Sequence, residues 1–316
     1  MPVVPPGFVD PPRWSAQELK AARDLSEARF AQQRRDEGPN AFADACADVR
    51  PRVEAALAAS DDLRELTGKV FRDDPGAWQV FRYVCGPPIS QEDLWTLVGG
   101  PRFKRVPPQY ADATAAALRL VVDNVRFPWV ADGRAPTEHE RRAAVLATTV
   151  LHAAQMLGTS RRGEASLRQE DATAAALAAA GYQLEPSRRT LRVLDELPRG
   201  TYSRERKIAA GPGGAEKPAK CDVPVRLLDG RLFAVECKVS NGPKNSWKRV
   251  NREVGGKAET WRQAFGSQVL TAVVLAGVFD LSCLVTAQGS SPANGVVLLW
   301  EHDLTPLTDF VAAAAS

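Results

Sequence analysis

Histidine and paired cysteine, the usual makings of a zinc site or a disulfide framework, are scarce in this sequence. Three histidines (His139, His152, His302) and five cysteines (Cys46, Cys85, Cys221, Cys237, Cys283) are spread over 316 residues with no CxxC pair. An odd, scattered set of that kind argues for free thiols in a reducing compartment and against a structural zinc. No apolar run approaches the roughly 20 residues that a membrane span needs. The opening MPVVPPGFVDPPRW has neither the basic flank nor the apolar core of a secretory signal, so the expected location is the cytoplasm. A GxSxG elbow, an HExxH helix and a Cys–His nucleophile pair are missing, and with them the commonest hydrolase signatures. There is no internal repeat. What is present, 44% apolar and 25% charged residues, is an ordinary globular composition, long enough for one large core or two modest ones.

The net charge of +3 conceals an uneven distribution. Between Arg199 and Arg262 stand 15 Lys/Arg against 7 Asp/Glu, a local excess of +8, which leaves −5 for the rest of the chain. A basic segment in an otherwise slightly acidic protein is expected to face a polyanion, the alternative being a merely solvated surface.

The first half reads as helices. Ser15-Ala16-Gln17-Glu18 is a capping box opening a run to about Glu37. Further helical patterns cover 40–59, 61–72, 75–84, 90–98 and 108–125, and Thr137 caps another that continues to Leu157. After about residue 160 the texture changes. An alanine-rich helix over 165–180 ends at Gly181, followed by short apolar runs at Lys207–Ala210, Val223–Leu228, Arg231–Val239, Leu270–Ala276 and Gly295–Trp300. A polar, basic helix spans Ser246–Phe265. Helix, three strands, helix, strand is an α/β layout. The expected division is a helical domain over 1–160 and an α/β domain over 161–316. Gly211–Lys220 (GPGGAEKPAK) reads as a mobile connector; it fits neither a Walker A loop nor a GxGxxG turn.

Phosphodiester hydrolysis at neutral pH calls for a divalent ion that activates water and stabilises charge on the phosphate. Magnesium takes oxygen ligands and needs only one or two carboxylates besides substrate and water. A lysine nearby can orient the water or stabilise the transition state. Asp222, a hairpin signal at Asp229-Gly230, and Glu236-Cys237-Lys238 supply these groups on neighbouring strands. An acid-x-Lys triplet alone means little, since Glu18-Leu19-Lys20 and Glu205-Arg206-Lys207 match it too. The first lies on a helix, where such residues do not share a face, and the second has no comparable partner acid on a following hairpin arm. Only the third ends an apolar strand, where a carboxylate and an ammonium are costly unless paired or bound to metal.

Strand parity sharpens the expectation. Glu236 and Lys238 point to one face, and Phe233, Val235, Cys237 and Val239 to the other. A two-residue loop would set Asp222 opposite Cys237, on the wrong face. A three-residue loop, Leu228-Asp229-Gly230 with Gly230 left-handed, sets it opposite Glu236; a bulge at Pro224 would serve equally.

The following helix carries Lys244, Lys248, Arg249, Arg252 and Lys257 with Asn245, Ser246 and Asn251 among them. Lys248, Arg252 and, less closely, Lys244 fall at four-residue spacing, a stripe suited to phosphates. Trp247 and Trp261 read as core anchors of this helix. Glu170, on the alanine-rich helix, is a candidate third carboxylate, the alternative being a solvated helix residue. The three histidines read as packed or surface residues.

The Asp222…Glu236-Cys237-Lys238 arrangement resembles the PD-(D/E)xK nuclease superfamily, with Cys221 where the motif has proline. The block VECKVSNGPKNSWKRVNREVGGKAETW, with Arg13-Trp14 and Pro87-Pro88-Ile89-Ser90-Gln91-Glu92-Asp93-Leu94, is similar to the XamI-type restriction endonucleases. The resemblance implies an α/β, restriction-endonuclease-like core (helix, three-stranded meander, helix, strand) with a mainly helical N-terminal domain. It further implies a type II enzyme that uses Mg2+ to cut both strands of double-stranded DNA at a short palindrome, which for this family is GTCGAC. Asp222 and Glu236 would hold the metal, with the backbone carbonyl of Cys237 a further ligand, and Lys238 would act on the attacking water. Lys244, Asn245, Ser246, Lys248, Arg249, Arg252 and Lys257 would contact DNA. A palindrome implies a homodimer, and restriction implies a cognate DNA methyltransferase. A repair or mobile-element nuclease of the same superfamily and a non-catalytic DNA-binding protein are the alternatives.

Overall fold

The computed structural model describes residues 8–291 and 294–314, and the backbone alone of residues 161–163. By their internal contacts they form two compact units, Asp36–Ser160 and a second made of Met1–Arg35 with Arg161–Ser316.

The unit Asp36–Ser160 is helical. Its helices Gly38–Ala59, Gly68–Asp73, Trp78–Phe81, Gln91–Val98, Ala111–Leu120 and Pro128–Asp132 enclose a core that includes Val49, Leu57, Phe71, Phe81, Leu118 and Trp129. Ser90 caps Gln91–Val98 in a reciprocal box with Asp93. The backbone N–H of Glu140 donates to Thr137 Oγ1, and the Thr137 N–H donates back to the Glu140 carboxylate.

The helix that Thr137 opens is longer than expected. Glu138–Ala179 runs 42 residues without a break, joining the helix read to Leu157 with the one read over 165–180 across a gap that begins at Gly158. A helix-interior glycine costs only about 1 kcal/mol against alanine, too little to stop a helix flanked by long runs of strong helix formers.

The other unit is built on a six-stranded mixed sheet. Its strands are β1 (Gln183–Leu184), β2 (Thr201–Tyr202), β5 (Val223–Arg226), β6 (Leu232–Asn241), β7 (Val269–Val278) and β8 (Val297–Trp300), in the spatial order β1-β2-β5-β6-β7-β8. Strands β2, β5 and β6 form an antiparallel meander, and β6, β7 and β8 are parallel. Helices cover both faces, which is why β7 reads as a continuous apolar run. On one face Ala174 and Leu177, with Leu307, Phe310 and Val311, pack on Val225, Phe233, Val235 and Cys237. On the other, Trp261 packs on Leu232 and Ala234, and Val250, Val254 and Leu19 pack with Val273, Leu275 and Trp300.

Four expectations are corrected. The strand at Lys207–Ala210 is absent from the main sheet: as β3 (Arg206–Ala210) it pairs with β4 (Glu216–Cys221) in a separate two-stranded sheet. Glu205, left-handed at φ +54°, turns the chain out of line after β2, so Thr201–Tyr202 supplies the third meander strand. Most of the expected mobile connector is thus ordered: a short turn at Pro212–Gly214, then β4 hydrogen-bonded along β3. The basic helix is composite, with α-helix over Pro243–Trp247, π-helix over Lys248–Val254 and α-helix over Gly255–Phe265. Finally, the N-terminal helix Ala16–Asp36 belongs with the α/β unit. Trp14 Nε1 donates to the Leu298 carbonyl (2.7 Å), Leu19 is in its core, and Ser26 Oγ bonds both the carbonyl and the N–H of Gly277 (3.0 Å each).

Candidate active site

Hairpin geometry sets the site. Strands β5 and β6 pair Arg226 with Leu232 and, step by step, Val223 with Val235. The Leu227 N–H donates to the Arg231 carbonyl (2.9 Å) and the Gly230 N–H to the Leu227 carbonyl (3.0 Å), which closes a three-residue loop, Leu228-Asp229-Gly230. Gly230 is left-handed at φ +96°, the conformation this loop demands. One step beyond the last paired residues, Asp222 comes opposite Glu236, the register that parity required.

The side chains meet as a compact charged group. Asp222 Oδ2 accepts from the Cys237 N–H (2.9 Å) and from Lys238 Nζ (3.0 Å). Lys238 Nζ lies 2.8 Å from Glu236 Oε2 and donates to the Cys237 carbonyl at 3.2 Å. A second ammonium, Lys257 Nζ, reaches the same Glu236 oxygen at 2.7 Å and the Lys220 carbonyl at 2.6 Å. Glu236 is fully buried and Asp222 8% exposed, so these charges sit almost out of water. Burial alone would lower the pKa of Lys238, but the carboxylates of Glu236 and Asp222 outweigh it and hold the ammonium above its ordinary value. Burial, reinforced by the Asp222 charge, pushes the Cys237 thiol up, so it stays protonated and inert.

The donor set suits a hard divalent cation: two carboxylates and a backbone carbonyl, all oxygen. Glu236 Oε1 is the telling atom, a buried carboxylate oxygen with no hydrogen-bond partner among the described residues. Glu170 is buried too, 4% exposed, on the helix Glu138–Ala179. Its partners are Ser166 Oγ (3.2 Å) and Arg204 (3.6 Å). Burial, and next the charge of Asp222, raise its pKa. No three His, Cys, Asp or Glu side chains are grouped to hold a metal among the described residues.

The expected DNA-contacting residues divide. Lys244, Asn245, Lys248 and Arg252 are exposed and Arg249 half-buried, which leaves them available to a polyanion. Ser246 is not: it is wholly buried, its hydroxyl donating to the Pro243 carbonyl (2.5 Å) and accepting from the Asp280 N–H (3.2 Å), so it caps structure. Asn251, which lies among them in sequence but was not an expected contact, donates to the Cys283 carbonyl (3.2 Å). Lys257 turns inward to Glu236. Trp261 is the core anchor expected, but Trp247 is 42% exposed, beside Lys248, because it falls on the solvent side of its short helical turn. The engagement of Lys257 was missed, since nothing in a separation of 21 residues marks it as a partner of Glu236. Gln169 was missed as well; its Nε2 reaches the carbonyls of Lys238 (3.5 Å) and Val274 (3.4 Å) from the helix above. The histidines stand apart: His152 stacks on Tyr83, and His302 lies against Trp300.

The model of the XamI restriction endonuclease family matches residues 61–300. The chain is 33% identical over 278 residues to the Type II restriction enzyme XamI of Xanthomonas campestris pv. amaranthicola, a match covering 81% of this chain and 93% of that one. No solved structure matches it.

Proposed function

The chain belongs to the XamI restriction endonuclease family and is a type II restriction endonuclease, and from that premise we propose that Asp222, Glu236 and Lys238 form its magnesium-dependent catalytic centre. The observation that carries this reading is Glu236, a fully buried carboxylate with one oxygen on two lysines and the other without a hydrogen-bond partner among the described residues. A group so costly to bury is expected at a site where a cation is its function.

Asp222, Glu236 and the Cys237 carbonyl would hold the magnesium ion. Once bound, the ion supplies charge neutralisation on the scissile phosphate and makes water a competent nucleophile at neutral pH. Lys238 orients the attacking water and stabilises the charge that gathers on the phosphoryl oxygens. Glu170, buried on the long helix and near enough to Asp222 to feel its charge, would be an accessory third carboxylate. Lys244, Asn245, Lys248, Arg249 and Arg252 engage the DNA backbone. The long helix, the meander β2-β5-β6, the helix Gly255–Phe265 and β7 support reading this unit as a restriction-endonuclease-like core. The helical unit wraps DNA, builds the dimer, or both. A two-fold homodimer matches a palindromic site, and a cognate methyltransferase protects the host's copies of it in the cytoplasm.

The test is digestion of unmethylated plasmid by the purified chain, with magnesium and with chelator. Discrete fragments that need magnesium, with ends mapping to one short palindrome such as GTCGAC, are expected. A smear or no cutting over many substrates contradicts the proposal.

A further inference from the structure

We propose that the ammonium of Lys257 takes the place beside Glu236 that a second divalent cation would otherwise fill, so that each centre loads a single metal ion. This rests on the metal-dependent reading above.

Two-metal nucleases hold their ions about 3.5–4 Å apart, and a carboxylate lying between the ions can offer one oxygen to each. Here Glu236 has one oxygen, Oε1, without a hydrogen-bond partner among the described residues and the other, Oε2, already occupied. The Lys257 ammonium sits 2.7 Å from Oε2 and 2.6 Å from the Lys220 carbonyl. A carboxylate and a carbonyl are the donors a hard cation would choose. The niche is nevertheless built for an organic cation. One wall is the ring of the wholly buried Trp261, whose centroid lies 5.8 Å from Nζ, a face that attracts an ammonium and offers a magnesium ion no oxygen. Lys257 and Trp261 are one helical turn apart on Gly255–Phe265, so the helix that carries the cation also carries the wall that holds it.

Charge leads to the same count. Two carboxylates face two ammoniums in direct contact, so the group is neutral before any ion arrives. One divalent ion and a phosphate leave it modestly positive; a second ion in this dry setting meets strong repulsion from Lys238 and Lys257. Removing the Lys257 charge frees the Lys220 carbonyl, leaves Glu236 Oε2 with Lys238 alone and lessens that repulsion.

The experiment is a Mn2+ titration of the full-length, DNA-free chain, with free Mn2+ read by electron paramagnetic resonance. One Mn2+ per chain is expected for the wild type and for Lys257→Arg. In Lys257→Ala a second, weaker Mn2+ should appear, and the magnesium dependence of cleavage should turn cooperative. Two ions on the wild type, or an unchanged count in Lys257→Ala, overturn the proposal. Wild type that binds no Mn2+ overturns the metal reading itself, a result distinct from either. Lys257→Met, which keeps the stem against Trp261, replaces the alanine variant if that one melts early by circular dichroism. If both fail to fold, the wild-type count decides by itself.

Discussion

Replacing Lys238 by methionine separates the chemistry of the centre from its architecture. The methionine keeps most of the side chain's volume and removes one cation that contacts Asp222 Oδ2 at 3.0 Å, Glu236 Oε2 at 2.8 Å and the Cys237 carbonyl at 3.2 Å. Neither carboxylate is stranded. Asp222 retains the Cys237 N–H at 2.9 Å, and Glu236 retains Lys257 at 2.7 Å. The cost therefore falls below the roughly 3–5 kcal/mol of a buried charge left without any partner, nearer the loss of one or two charged hydrogen bonds, about 1–3 kcal/mol. A melting temperature lowered by a few degrees is expected. Binding behaves differently. With the competing ammonium gone, the carboxylates should take Mn2+ at least as tightly as before, and DNA affinity should stay within a few-fold. Chemistry should suffer most, because a preorganised cation at the reacting phosphate is worth about 3–4 kcal/mol, or roughly 10²–10³ in rate. Single-turnover cleavage of a duplex bearing the mapped site measures this. A variant that cuts within ten-fold of wild type would refute the role assigned to Lys238, and so would one whose slow cleavage is explained by lost metal or DNA binding.

Other consequences follow from particular contacts. Lys248→Ala and Arg252→Ala should each lower the slope of log affinity against log salt by about 0.9; an unchanged slope places that residue off the phosphates. Burial first, then the charges of Arg52 and Arg82, push the pKa of His152 down to about 4, against 6.5 for an ordinary imidazole. A depressed pKa means stability that is present above pH 6.5 and lost as pH falls toward about 4. His152→Phe should flatten that part of the melting-temperature profile, and an unaltered profile counts against it. Gly230→Val forces a β-branched residue to φ +96° with its Cβ 2.9 Å from Arg199 Nη2. It should cost about 1–2 kcal/mol by denaturant melts while cleavage at 25 °C persists.

The legible parts of this protein were those encoded by local pattern. The caps at Ser15 and Thr137, the apolar strands and the basic stretch all follow from side-chain chemistry within a few residues. The pairing of Asp222 with Glu236 was legible one level higher, since period-two alternation and a glycine in the turn allow few registers. What escaped depended on contacts distant in sequence. Glu205 sends β3 into its own sheet by a backbone angle that no composition announces. Ser246 reads as a DNA contact until Asp280 arrives to bond it. Lys257 reads as one more DNA contact in a basic run, and only the folded chain shows that it ends on Glu236. A run of basic residues marks a polyanion-binding segment correctly but does not reveal which of its members turn inward.

The central claim is that Glu236, with Asp222 and Lys238, performs the cleavage, and Glu236→Gln tests it with the least disturbance of shape. The measurement is single-turnover cleavage of the mapped duplex in magnesium, beside a gel shift of the same duplex. The wild type should make a double-strand break, and the variant should retain DNA binding with cleavage reduced by about 10³ or more, the loss of roughly 4 kcal/mol of transition-state stabilisation. A Glu236→Gln protein that cuts within ten-fold of wild type would place the catalytic centre elsewhere in the chain.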